Sequence, residues 1–170
     1  AHTNIAIAFF AIEQYDAATF GFDQALNINP SFFNALTGSA KLCLETKDPK
    51  QALTKIEKAI SIKTDSAEAI EILANVHRAL GKPDEALATF DHALAITPQL
   101  EIAWVNKGEL LVELGKIDEA KVCYETALKI DADSLRARLS MANVEKATKI
   151  SEHMHWLIHK SSDMSGLLDK

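Results

Sequence analysis

The stretch Ala67–Leu100, AEAIEILANVHRALGKPDEALATFDHALAITPQL, is the clearest copy of a 34-residue unit that recurs along the chain. Two series of alanines repeat at that spacing, namely Ala18, Ala52, Ala86 and Ala120, and Ala25, Ala59, Ala93 and Ala127. Self-similarity at a fixed period of this length is typical of architectures in which each unit packs against its neighbours. The sequence therefore predicts a repeat protein.

Each unit has the pattern of two amphipathic helices separated by a short turn. Apolar residues recur at three- and four-residue intervals on both sides of Gly81. Glycine suits the left-handed position that follows a helix, and Pro83 suits the first turn of the next one. Pro98 then ends the second helix, because proline cannot extend the hydrogen-bond ladder. An all-α fold follows.

The spacing of large, small and aromatic residues resembles the tetratricopeptide repeat (TPR) family. That family has slots for a large residue, Leu-Gly or Leu-Ala, an aromatic residue, Ala, a second aromatic residue, Ala and Pro. The unit at 67–100 fills these slots with Ile70, Leu73-Ala74, His77, Ala86, Phe90, Ala93 and Pro98. The resemblance implies a right-handed superhelix, an α-solenoid of helix-turn-helix repeats, whose first helices line a concave groove that holds peptides.

The repeats divide the chain at 1–32, 33–66, 67–100 and 101–134, with a capping helix over 135–150. This array of residues 1–150 is followed by a C-terminal stretch, 151–170. There the pattern predicts a short helix from about Glu152 to His159 and then a loop, because Ser-Ser-Asp and Ser-Gly follow.

Composition and charge exclude several classes of function. The formal net charge is −6 over 170 residues, which argues against nucleic-acid binding. The longest apolar run, Ile5–Ile12, is far shorter than the roughly 20 residues that cross a bilayer. Cys43 and Cys123 lie in different repeats at helix-packing positions, so we expect two reduced thiols and a cytoplasmic location.

The sequence contains no motif that indicates catalysis or a cofactor. His77 fills a slot where the TPR family often has tyrosine, and we interpret it as a packed histidine. His153, His155 and His159 form the best metal-like cluster, but no Glu or Cys completes a ligand set at a recognised spacing. We therefore predict surface histidines, no metal site and no enzymatic activity of the chain itself.

Groove-facing positions follow from the resemblance, which assigns them to the second, fifth, ninth and twelfth slots of each repeat. The slots include Thr37 and, in the first repeat, Ile7 and Phe10. The candidates for a peptide-binding groove are Asn34, Lys41, Glu68, Glu71, Asn75, Arg78, Ile102, Val105, Glu109, Val112, Arg136 and Asn143.

This lining indicates what a partner would look like. Thr37, Ile72 and Val105 stand near where cochaperone TPRs carry a carboxylate clamp, so chaperone-tail binding is disfavoured. Asn106 lies where a TPR-containing glycosyltransferase has an asparagine ladder, but Ile72 interrupts that series. A stripe of Ile102, Val105 and Val112 near several acidic residues predicts a protein or peptide segment with aliphatic side chains and one or two basic residues.

Three alternatives remain open at this point. Further C-terminal residues of the protein would also fit the stripe. Residues 137–170 resemble the junction between TPR arrays and a sulfotransferase-like domain in bacterial proteins, which implies an interaction or dimerisation arm of a larger enzyme. Ile7 and Phe10 point away from the packed face of the first helix, which predicts an upstream neighbour, a partner, or a homo-oligomer formed through this end.

Overall fold

The computed structural model describes the backbone of residues 2–168 and the side chains of residues 2–150, 153 and 154. Within residues 2–168 all regular secondary structure is α-helical: α1 (His2–Ala11), α2 (Tyr15–Ile28), α3 (Phe33–Glu45), α4 (Pro49–Ile62), α5 (Ala67–Ala79), α6 (Pro83–Ile96), α7 (Glu101–Glu113), α8 (Ile117–Ile130) and α9 (Leu135–Leu168). None of these helices combines the length and the hydropathy needed to cross a membrane.

The turn inside each repeat has the same backbone conformation four times. The residue two positions after the first helix has a positive φ in every case: 59° at Glu13, 61° at Lys47, 72° at Gly81 and 75° at Gly115. Only glycine adopts this left-handed region without a steric cost. The two glycines therefore confirm the predicted turn, while the first two repeats place larger residues there.

Local signals at the helix N-termini agree with the turns. The side chain of Asp48 accepts a hydrogen bond from the backbone N–H of Gln51 and caps α4, which has a proline in its first turn. Ser66 caps α5 by accepting from the N–H of Ala69 at 3.3 Å. Such caps satisfy donors that would otherwise lack a partner at the start of a helix.

The core consists of one large side chain per repeat surrounded by alanines. The residues of both alanine series are buried, and so are the large residues that recur between them, Phe22, Ile56, Phe90 and Tyr124. Each first helix from α1 to α7 packs on the second helix of its own repeat, and each from α3 onward packs on both helices of the preceding repeat. Small residues permit this close approach, as Gly38 shows: a Cβ there would lie 2.5 Å from Cε1 of Phe22.

The C-terminal helix differs from the prediction. The sequence predicted a capping helix that ends near residue 150, a second short helix and a loop, whereas α9 runs without a break from Leu135 to Leu168. The chain has no proline or glycine between Leu135 and Ser165, so nothing in the backbone interrupts the hydrogen-bond ladder. Ser and Asp alone do not end a helix. The division into two domains stays a prediction.

Candidate functional site

The first helices of the repeats enclose two adjoining cavities. The N-terminal groove half has a volume of about 380 Å³, and its lining includes Ile7, Phe10, Phe33, Asn34, Thr37 and Glu68. The C-terminal groove half has about 430 Å³, and its lining includes Leu44, Glu71, Asn75, Arg78, Ile102, Asn106 and Arg136. Phe10, Lys41 and Ile72 line both. The two halves therefore form one groove that crosses α1, α3, α5, α7 and α9.

Ion pairs connect three successive first helices in the C-terminal groove half. Arg136 on α9 donates from Nε and Nη2 to the two carboxylate oxygens of Glu109 on α7, each at 2.9 Å. Arg78 on α5 contacts the same carboxylate at 3.4 Å and donates from Nε and Nη2 to Glu113. Bidentate pairs of this kind are both stronger and more specific in geometry than single contacts.

A buried carboxylate lies beneath these pairs. Glu71 on α5 is 4% exposed, and its Oε1 accepts a hydrogen bond from Nδ2 of Asn75 at 2.5 Å and another from Nδ2 of Asn106 on α7. Burial raises the pKa of Glu71, although the positive charges of Lys41 and Arg136 and the two amides act in the opposite direction. The Asn106 contact joins the third repeat to the fourth.

Most of the predicted groove residues line the two cavities. These are Asn34, Lys41, Glu68, Glu71, Asn75, Arg78, Ile102 and Arg136. Glu109 is half-buried and lies beside the groove through its pairs with two of them. Asn143 is exposed on α9 and lines neither cavity. Whether these residues bind a partner stays a prediction.

The predicted apolar stripe is wrong at Val105. This side chain is 0% exposed and packs against Ala137 and Val144 of α9 and Tyr124 of α8, and Val112 is half-buried against the same cluster. The reason is that the fifth slot faces the first helix of the following repeat. Thr3 and Glu71 occupy the same slot and are buried too, Thr37 is half-buried there, and Leu139, on α9, is 63% exposed.

Several groove residues were missed because the slot assignment was too narrow. Ile72 and Asn106 occupy the sixth slot, and Glu45 and Ala79 the thirteenth, yet all four line the C-terminal groove half. A helical period of 3.6 residues places the fifth and sixth slots on adjacent sides of one face. The sixth slot holds an apolar residue at Ile72 and a polar residue at Asn106, so residue type gave no signal that this slot lines the groove.

The remaining candidate residues have structural surroundings. Cys43 and Cys123 are buried and free, and desolvation raises the pKa of both thiols, which makes them less reactive at neutral pH. His77 is half-buried, with Nδ1 3.1 Å from Oγ1 of Thr89, as a packed histidine requires. Among the described residues no group of three His, Cys, Asp or Glu side chains could hold a metal. The side chains of the tail cluster beyond His153 lie outside that part of the chain.

Comparisons with known proteins agree with this architecture. A family model described as tetratricopeptide repeat matches residues 77–144. A crystal structure of a thermophilic TPR protein from Thermus thermophilus is similar with a TM-score of 0.81 at 22% identity, over 86% of this chain and 81% of that one. The helical pairs thus define an α-solenoid. Residues 77–144 match the tetratricopeptide repeat family, and the described part of the chain has the fold of TPR proteins, as the resemblance implied.

Curated relatives are more distant and much longer. Human tetratricopeptide repeat protein 6 is 25% identical over 113 residues, which cover 66% of this chain and 22% of that protein. Human protein O-mannosyl-transferase TMTC3 is 30% identical over 95 residues, which cover 55% of this chain and 10% of that protein. The chain therefore spans less than a quarter of the length of these relatives.

Proposed function

We propose that the chain is a protein-interaction scaffold that holds an extended segment of a partner protein in the groove. The observation that carries this proposal is the continuity of the two groove halves through Phe10, Lys41 and Ile72. A continuous groove suits an extended chain better than a compact ligand. The TPR fold supports it further, because such solenoids present extended binding surfaces.

The apolar contribution to binding comes from the N-terminal groove half. Ile7 lines that cavity while 46% exposed, and the half-buried Phe10 and Phe33 line it as well. Covering exposed apolar area contributes about 25 cal/mol per Å² removed from water. An aliphatic or aromatic side chain of the partner would find this area between α1 and α3. The partner is thus expected to place its apolar residues here rather than beside Val105.

A matched pair of variants in one helical hairpin tests the proposal. A displayed random peptide library is selected on the parent chain, and the affinity of selected, labelled peptides is measured by fluorescence polarisation. Ile7→Ser should weaken them about tenfold, since burying an isoleucine contributes roughly 1.5 to 3 kcal/mol. Ile12→Ser is the control, because Ile12 is 61% exposed on the same helical hairpin and lines neither groove half.

Two results would contradict the proposal. One is that selection yields no peptide with a measurable affinity. The other is that Ile7→Ser and Ile12→Ser weaken every selected peptide equally, which would place binding outside the groove.

A second candidate function is an arm of a larger enzyme. The observation that favours it is the similarity to a short part of a protein named as an O-mannosyl-transferase, of which this chain spans 10%. The sulfotransferase-like resemblance of residues 137–170 supports the same idea. The mass of the native protein in its source cells tests this candidate, and a native mass equal to that of 170 residues would contradict it.

Self-association through α1 is a third candidate. Ala8 is exposed, whereas its equivalents in the next three repeats, Leu42, Val76 and Leu110, are buried by the preceding repeat. Ile5 beside it is 52% exposed. A second copy of the chain could cover this end. Light scattering over a range of concentrations tests it, and a strict monomer throughout would contradict it.

A further inference from the structure

Glu71 is a buried carboxylate in the groove whose hydrogen bonding is incomplete. Both of its side-chain hydrogen bonds, from Asn75 and Asn106, go to Oε1, and Oε2 accepts none. No buried side-chain oxygen or nitrogen in the described part of the chain lacks a partner, so Oε2 is in contact with the open groove. Glu71 also lines the C-terminal groove half. Oε2 of Glu71 can therefore accept a hydrogen bond from a ligand in the groove.

In the described part of the chain, no basic side chain donates a hydrogen bond to the Glu71 carboxylate. Arg78 and Arg136 direct their guanidinium groups to Glu109 and Glu113 instead. Lys41 is exposed and lies within electrostatic range, but it forms no ion pair with Glu71 in the described part of the chain. A buried charge without a hydrogen-bonded counter-ion is costly, so a bound cation would gain more here than at the surface.

The surroundings favour a positive group on an apolar stem. Five carboxylates line the groove or pair with its lining, against three basic side chains: Glu45, Glu68, Glu71, Glu109 and Glu113 against Lys41, Arg78 and Arg136. Leu44, Ile72 and Ile102 provide apolar walls around Glu71. The alkyl stem of a lysine or arginine can lie against such walls while its charged end reaches a carboxylate.

We propose that Oε2 of Glu71 accepts a hydrogen bond from a lysine ammonium or arginine guanidinium of the bound partner segment, and that this contact sets a preference for one basic residue. The inference rests on the proposed function of the groove. Asn75 and Asn106 act as positioning residues, because their amides hold Oε1 and so orient Oε2. The partner segment then carries its basic residue next to the apolar residue that enters the N-terminal groove half.

The test compares two isosteric changes of charge. Glu71→Gln keeps an oxygen for the two asparagine amides and replaces Oε2 by an amide nitrogen, whereas Glu57→Gln makes the same change of charge at an exposed position of α4 that lines neither groove half. Peptides selected on the parent chain should contain a lysine or arginine at a fixed distance from an apolar residue. Glu71→Gln should weaken them at least about tenfold, since a hydrogen bond to a charged group contributes roughly 1.5 to 3 kcal/mol. Glu57→Gln should change affinity less than about twofold.

A change on the peptide keeps the test independent of protein stability. Replacing the selected lysine by norleucine, or the arginine by citrulline, should weaken binding to the parent chain by the same factor and cause no further loss in Glu71→Gln. Peptides that bind without any basic preference, or that bind Glu71→Gln as well as the parent, would overturn this inference and leave the groove proposal intact. Failure of Ile7→Ser to weaken any peptide would overturn both.

Discussion

The two halves of the solenoid differ in their turns and in their parts of the groove. In the N-terminal half, α1–α4, the left-handed turn positions hold Glu13 and Lys47, and the groove lining is apolar and open. In the C-terminal half, α5–α9, those positions hold glycines, and the ion pairs of Glu109 connect three helices across the groove. The repeats have equal lengths, but turn strain is concentrated in the N-terminal half and ion-paired groove residues in the C-terminal half.

This difference assigns different roles to the two halves. Strained turns and exposed apolar residues reduce local stability, and elements of low local stability open first. The same exposed residues are where a partner gains most by covering apolar area. In the C-terminal half the ion pairs with Glu109 and Glu113 occupy Arg78 and Arg136, while Oε2 of Glu71 stays available to a partner. Binding should therefore stabilise the N-terminal half more.

Val105→Asp is expected to have the largest effect, and it acts on the C-terminal half alone. The side chain is fully buried between α7 and α9, so an aspartate there would be an uncompensated buried charge that costs about 3 to 5 kcal/mol. Urea unfolding followed by circular dichroism measures it. Ile102→Asp is the control on the same helix, because Ile102 is half-buried and faces the groove. Equal destabilisation by the two variants would contradict the assignment of Val105 to the core.

Gly38→Ala tests packing in the N-terminal half. The added Cβ would lie 2.5 and 2.6 Å from two ring atoms of Phe22, which is fully buried, so the ring or the helix must shift. Overpacking of this kind costs about 1 to 3 kcal/mol, which exceeds the roughly 1 kcal/mol gained from helix propensity. Thermal unfolding should show the loss.

A double variant separates this overpacking from other effects of the alanine. In a Phe22→Leu background the ring atoms are absent, so Gly38→Ala should become neutral or stabilising there. A cost that stays the same in both backgrounds would show that the clash is not its cause.

Reciprocal exchanges at the turns compare the halves directly. Lys47→Gly should stabilise the chain by about 1 kcal/mol, because a side chain in the left-handed region costs roughly that amount. Gly115→Lys, at the equivalent position two repeats later, should destabilise it to a similar extent. Denaturant midpoints with unchanged slopes would measure both. If both exchanges shift the midpoint in the same direction, turn strain does not distinguish the halves.

Glu109→Gln should have the smallest effect and should depend on salt. It removes the shared partner of Arg78 and Arg136, which are 25% and 50% exposed, and we expect a loss of about 1 kcal/mol at low ionic strength that shrinks at high salt. Glu119→Gln is the control, because its only ion pair in the described part of the chain is a 3.9 Å contact on the surface. A loss that is independent of salt would indicate a packing effect instead.

The sequence was sufficient for the fold because the fold depends on local periodicity. The alanine series, Gly81, Pro83 and Phe90 each act within one repeat or against the next one, so a period of 34 residues specifies all the packing at once. The limits of α9 were not predictable in this way, since Ser and Asp after His159 are compatible with both a loop and a helix.

The groove shows what only the tertiary structure decided. Slot numbers identified Glu71 and Val105 equally as groove residues, yet one has a carboxylate oxygen facing the groove and the other is enclosed by α9. The reason is that exposure at the fifth slot depends on the next first helix, and the bonding of Glu71 depends on Asn106, 35 residues further along the chain. The sequence by itself determined the repeated unit and its period. The packing of successive units decided which polar groups are satisfied internally and which remain open to a partner.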